Sequence, residues 1–232
     1  ESGYIARQSL NLLQEAFTTR DVGERPEVIV FYDGANEVEV RCRRSNPGLD
    51  ASRGNQIADA LTLEIPEDLS FRSLTRPATA FIERYGGRLQ EKLGETTDPD
   101  ADRYGCHDES LKAELVARAV VEDWTSAAAI SESRGATFLA VLQPVTYLSD
   151  TPTDGLAIHA DYRRGLAEQF LVVYPLIREF AETAGIDFLD LTSLLDGPVS
   201  RYTDFIHLDS PGNEMVARAI ANHLDLPVDE AP

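Results

Sequence analysis

The sequence predicts an α/β fold in which a parallel sheet is held between layers of helices. Two observations predict it. Three short apolar runs, at 28–32 (VIVFY), 137–142 (TFLAVL) and 186–191 (IDFLDL), lack a sustained in–out polar alternation and so read as strands buried on both faces. Long amphipathic segments separate them, giving the order helix, strand, insertion, helix, strand, helix, strand, helix. Such alternation means parallel strands joined by crossover helices on both faces. With 232 residues and 43% hydrophobic residues, residues 1–232 suit a single domain able to bury a core without staples.

Each element follows from its local pattern. Residues 4–18 place Ile5, Leu10, Leu12, Leu13 and Phe17 close to one helical face. A turn-like stretch at 23–26 leads into the first strand, which ends in Asp33-Gly34-Ala35-Asn36, read as a strand-end loop. Residues 41–108 are the least regular part, rich in Arg, Asp, Gly and Pro, with a helix expected at about 76–92. They read as a lid or capping insertion within the domain. Residues 109–134 form a strong helix candidate stopped by Gly135, with Val120, Val121, Trp124 and Ala128 as core. The second strand ends at Gln143-Pro144. Residues 160–184 predict a helix bent at Pro175 and closed by Gly185. The last helix opens at Ser210-Pro211, with Ser as cap and Pro at the first helical position, and runs to about residue 224. In such sheets ligands bind beyond the carboxyl ends of the strands.

Charge narrows the function classes. There are 21 Lys and Arg against 40 Asp and Glu, a formal net charge of −19. A chain so acidic has no general attraction to phosphate backbones or to anionic membrane surfaces, which argues against a nucleic-acid partner. Only Lys92 and Lys112 are lysines. No apolar run reaches the ~18–20 residues of a membrane span, and no signal peptide is visible. Cys42 and Cys106 lack the spacing of a zinc site. They are either two unrelated thiols or one disulfide, and a disulfide would imply an oxidising, extracytoplasmic compartment rather than the cytoplasm.

Several chemistry-bearing residues read as ordinary. Asp98, Asp100, Asp102, Tyr104, Cys106 and Glu109 fall at the ligand positions of an EF-hand-like register, but Arg103 stands where that loop needs Gly; a solvated acidic loop is the expectation. His107, His159 and His223 have no paired-ligand spacing. Tyr147, just past the second strand, either lines a pocket or packs. No metal and no organic cofactor is implied.

Three places carry more. Ser2-Gly3-Tyr4 precedes the first helix, Gly34-Ala35-Asn36 follows the first strand, and Asp204-Phe205-Ile206-His207 precedes the last helix. An Asp three residues before a His can hold one imidazole nitrogen and leave the other as a general base. An Asn amide at a strand end, or a Gly N–H at a helix start, can donate to a developing oxyanion. In this order the three segments resemble the SGNH (GDSL-like) hydrolase family, which has a Gly after its second strand, Gly-x-Asn after its third, and Asp-x-x-His before its last helix. The resemblance implies a flavodoxin-like three-layer α/β/α fold, with Gly3 and Asn36 as oxyanion donors, His207 as general base, Asp204 as its orienting partner and Gly34 shaping the turn. Glu37 stands where many family members have Asp.

The family's nucleophile is a Ser in a Gly-Asp-Ser-like motif after its first strand, ahead of the Gly. Only two residues precede Gly3, and no such motif occurs elsewhere, so no nucleophile is assigned within the chain. The expectation is a sheet lacking the family's first two strands, which leaves the 28–32 strand with an open edge and places the Ser upstream. The implied function is an acyl hydrolase acting on a small-molecule or carbohydrate ester. The alternatives are a non-catalytic carbohydrate- or lipid-binding relative and an O-acyltransferase.

Overall fold

The computed structural model describes residues 4–19, 25–46, 103–154, 156 and 160–227. The helix expected at about 76–92 lies outside these residues, as do Ser2, Gly3, His159 and most of the insertion. The elements run α1 (Ala6–Thr19), β1 (Val28–Asp33), α2 (Ala35–Arg41), α3 (Ser110–Ser133), β2 (Thr137–Leu142), α4 (Ala160–Ala184), β3 (Phe188–Asp190) and α5 (Ser210–His223). The three strands form one all-parallel sheet in the order β1-β2-β3. The protein is therefore mixed α/β with a small parallel sheet flanked by helices.

Register explains the layering. Val28 pairs with Thr137 and Asp33 with Leu142, so side chains of matching parity share a face. Ile29, Phe31, Phe138, Ala140 and Leu142 join the main core with residues of α1, α3 and α4. Leu139 and Val141, of opposite parity, pack with Leu191 and with Val216 of α5. Trp124 is buried at the centre of the main core, as its place on the α3 stripe predicts. On the α5 face the cover stops short of β1: Val30 and Tyr32, opposite Leu139 and Val141 in the register, are 37% and 38% exposed. Among the described residues β1 pairs only with β2, so its other edge is open.

The element boundaries depart from expectation in four instructive places. Residues 35–36 were read as part of a strand-end loop and residue 41 as the start of the irregular insertion, yet Ala35–Arg41 form α2. Its apolar positions Ala35, Val38 and Val40 are buried beside Glu37 and Arg41, so tertiary packing, not a long periodic pattern, makes this short helix. Leu12 does not share the buried face of α1. Ala6, Leu10, Leu13 and Phe17 recur every three to four residues and are buried, whereas Leu12 is off that stripe and exposed. The last helix begins one residue earlier in cap register than read: Asp209, not Ser210, is the N-cap, its Oδ1 accepting the Gly212 N–H at 2.7 Å. A carboxylate outcompetes a hydroxyl there because it also complements the helix dipole. The third strand is shorter than the apolar run, 188–190 rather than 186–191, because only Phe188, Leu189 and Asp190 find partners on β2.

The insertion leaves and returns through a clasp. Arg43 and Tyr104 form an antiparallel bridge, Arg44 N–H donates to Arg103 C=O at 2.9 Å, and Gly105 N–H to Cys42 C=O at 2.8 Å. Cys42 and Cys106 are disulfide-bonded, with Cα atoms 5.2 Å apart. The disulfide reading of the two cysteines is thus the one the structure adopts. It also takes Cys106 out of the EF-hand-like register, while Glu109 of that register pairs with Arg44 at 2.6 Å. Among the described residues no group of three or more His, Cys, Asp or Glu could hold a metal ion, and no helix is long and apolar enough to cross a membrane.

Candidate functional site

The Asp204–His207 segment is a tight turn built by one carboxylate. Asp204 Oδ1 accepts the backbone N–H of Ile206 at 2.9 Å and of His207 at 2.8 Å. Its Oδ2 lies 2.6 Å from His207 Nδ1. Thr203 N–H closes the turn on His207 C=O at 2.8 Å. Burial pushes the Asp204 carboxyl up, but the two backbone N–H groups and the imidazole outweigh it and hold the carboxyl below its ordinary range. Asp204 is therefore a carboxylate at neutral pH. Its second oxygen holds the ring by Nδ1 and leaves Nε2 facing out; the His207 side chain is 68% exposed.

This turn is anchored to the carboxyl end of the sheet. Thr146, in the loop after β2, donates its N–H to Phe205 C=O at 3.0 Å. Tyr147 stacks between Phe205 and Phe170, at centroid distances of 5.9 and 5.4 Å. Tyr147 is half-buried against the main core, so packing accounts for it.

The second component follows β1. Gly34 has φ 132°, a region that disfavours any Cβ. A Cβ there would also lie 2.5 Å from the Tyr174 hydroxyl and 2.9 Å from Leu142 Cδ1. The turn exists because Gly34 lets the chain pass over Tyr174, and it delivers Asn36 into the first turn of α2 rather than into a loop. Asn36 donates Nδ2–H to Tyr4 C=O at 2.8 Å, so the strand-end segment and the start of α1 meet. The sequence brought Asp204 to His207 and Gly34 to Asn36, and the structure does the same. Gly3 lies outside the described residues. No hydrogen bond among the described residues joins His207 to Asn36.

Sequence reasoning missed a buried ionic network behind the turn. Asp33 ends β1 and accepts the Trp124 indole N–H at 2.9 Å. Glu37 is fully buried, as is Asp123 of α3. Asp123 Oδ2 accepts from Arg41 Nη2 at 2.9 Å, and its Oδ1 lies 2.6 Å from Arg7 Nε. Three carboxyl groups thus meet two guanidinium groups. Burial, then the nearby Glu37 carboxylate, push the Asp33 carboxyl well above its ordinary value, against the opposing pull of the Trp124 indole and Arg41. The only sequence signal was Glu37 three residues after Gly34, the spacing of a helix-start carboxylate.

A pH dependence follows. A carboxyl that titrates higher in the folded than in the unfolded chain binds more protons when folded. Its contribution is complete at or below the ordinary carboxyl value of 3.8 and is lost as pH rises through the folded value. Asp33→Asn, which keeps an acceptor for Trp124, is expected to remove that decline. Thermal midpoints measured from pH 4 upward should then fall less in the variant than in the native chain; parallel curves would contradict it.

No family model matches the chain, and neither does any curated protein or solved structure.

Proposed function

We propose that the chain carries the acid–base and oxyanion components of an SGNH-type serine ester hydrolase with a flavodoxin-like sheet; none of its own residues is assigned as the nucleophilic Ser. One observation carries this reading: a single carboxylate that orients His207 through Nδ1 at 2.6 Å while accepting two backbone N–H groups. A carboxylate so placed fixes the tautomer of the neutral imidazole and stabilises the imidazolium that forms on proton uptake. The open edge of β1 and the uncovered Val30 and Tyr32 are where a further strand and its helix would pack.

The chemistry is two-step acyl transfer. His207 Nε2 takes the Ser hydroxyl proton as the oxygen attacks the ester carbonyl. The tetrahedral oxyanion is held by Asn36 Nδ2–H and the Gly3 N–H. Collapse breaks the ester C–O bond, and the imidazolium returns the proton to the leaving alcohol. Water, deprotonated by the same imidazole, then releases the acid. The substrate class is an ester of a small molecule or carbohydrate, and no cofactor enters. The Cys42–Cys106 disulfide supports an oxidising, extracytoplasmic setting.

The test is ester hydrolysis by the complete translated polypeptide. His207→Ala is expected to lower turnover by roughly 10²-fold or more with the fold retained by circular dichroism. An unchanged rate would defeat the assignment. A native protein that neither hydrolyses esters nor reacts with a serine-directed phosphonate would point to the binding relative. Acyl transfer to an added sugar in preference to water would point to the transferase.

A further inference from the structure

Two backbone N–H groups from distant elements converge on one buried carboxylate beside Asn36. Glu37 Oε2 accepts the Gly34 N–H at 2.9 Å, and its Oε1 accepts the N–H of Ala6, the first residue of α1, at 2.5 Å. The next residue back, Asn36, donates in the opposite sense to the Tyr4 carbonyl at 2.8 Å. The start of α1 and the turn after β1 are therefore tied twice, with the donors running both ways.

An ordinary helix-start Glu reaches back to its own cap and sits in water. Glu37 does the first but is fully buried, and burying a carboxylate costs more than a lone helix cap returns. Its second oxygen, reaching 31 positions away, is what a capping role leaves unexplained. Only a carboxylate can serve both donors. A Gln side chain has one oxygen and one NH2, so one backbone N–H would face another donor. The Tyr4 carbonyl has a matching effect on Asn36. A carboxamide can flip its O and N, and an acceptor at this distance selects the flip with nitrogen toward Tyr4. One Nδ2–H is engaged there and the second remains in the fixed amide plane.

We propose that Glu37 is a positioning residue that clamps the start of α1 onto the β1–α2 turn and so holds the Asn36 amide in the orientation needed to donate to a developing oxyanion. The inference rests on the reading of Asn36 as an oxyanion donor and adds the residue through which that donor is aimed.

The test combines amide exchange with a double-mutant cycle in the complete translated polypeptide, using a p-nitrophenyl acyl ester as substrate. In Glu37→Gln, amide exchange at Ala6 or Gly34 is expected to accelerate about tenfold or more while the amides of β2 keep their protection. Turnover is expected to fall about tenfold or more with KM little changed. Asn36→Ala should fall at least as far. Adding Glu37→Gln to Asn36→Ala should then cost nothing further, because Glu37 acts through Asn36. Additive losses would show a merely structural role and overturn the proposal. So would native turnover in Glu37→Gln beside an impaired Asn36→Ala. Native turnover in Asn36→Ala would instead remove the oxyanion reading itself, and the positioning role with it, whatever the exchange data show.

Discussion

Replacing Arg41 by Met is expected to destabilise the protein by about 3–5 kcal/mol, the usual consequence of stripping one partner from a buried ion pair. Arg41 is 2% exposed and Asp123 fully buried, with Nη2 and Oδ2 2.9 Å apart. Without the guanidinium, Asp123 keeps, among the described residues, only Arg7, whose side chain is 58% exposed and whose charge is correspondingly screened. Part of the loss is offset, because Arg41 Nε and Nη1 have no hydrogen-bond partner among the described residues and Met removes them. Arg41→Met with Asp123→Leu should therefore be more stable than Arg41→Met alone, since no uncompensated carboxylate is left at that position. Urea denaturation of the two variants decides the matter. A single variant within 1 kcal/mol of the native chain would mean that the network contributes no net stability.

That network also shows where sequence reading stops. Strands were visible because burial on both faces leaves an apolar run, and β2 is found at its expected bounds. The long helices α3 and α4 were visible because they carry enough turns for a 3.6-residue period and end just before Gly135 and Gly185. Asp204 and His207 were visible because three residues separate them, so one turn brings them together whatever the rest of the chain does. Gly34 was read as a turn residue, but its reason, the Tyr174 hydroxyl beneath it, comes from a residue 140 positions away. Arg41 and Asp123 lie on two different helices, and nothing local marks either of them as buried; Arg7 reaches Asp123 from a third helix. A charged residue in a helix is by default a solvated one, and only the crossing of α1, α2 and α3 reverses that default. Asn36 falls between these cases. Its residue type and its place after β1 were legible, whereas its tie to Tyr4 depends on how α1 docks.

Reduction of Cys42–Cys106 is expected to cost about 4 kcal/mol. The two residues are 64 positions apart, and a cross-link closing a loop of that size removes roughly this much conformational freedom from the unfolded chain. The folded side has little to lose, since the backbone clasp from Cys42 C=O to Gly105 N–H and from Arg103 C=O to Arg44 N–H remains when the sulfur bond opens. Destabilisation should therefore come through the unfolded state, with two consequences. The denaturant midpoint should drop on adding reductant, and the dependence of stability on denaturant should steepen, because a chain freed of its cross-link expands further and exposes more surface. A Cys42→Ala, Cys106→Ala variant should show the lower midpoint with or without reductant. Because α2 ends at Arg41 and Asn36 lies in its first turn, a clasp that loosened on reduction would also release the Asn36 tie to Tyr4. If the clasp holds, the reduced protein keeps its Asn36 side-chain amide signals below the new midpoint. An unmoved midpoint in the native chain under full reduction would refute the stabilising role of the bond.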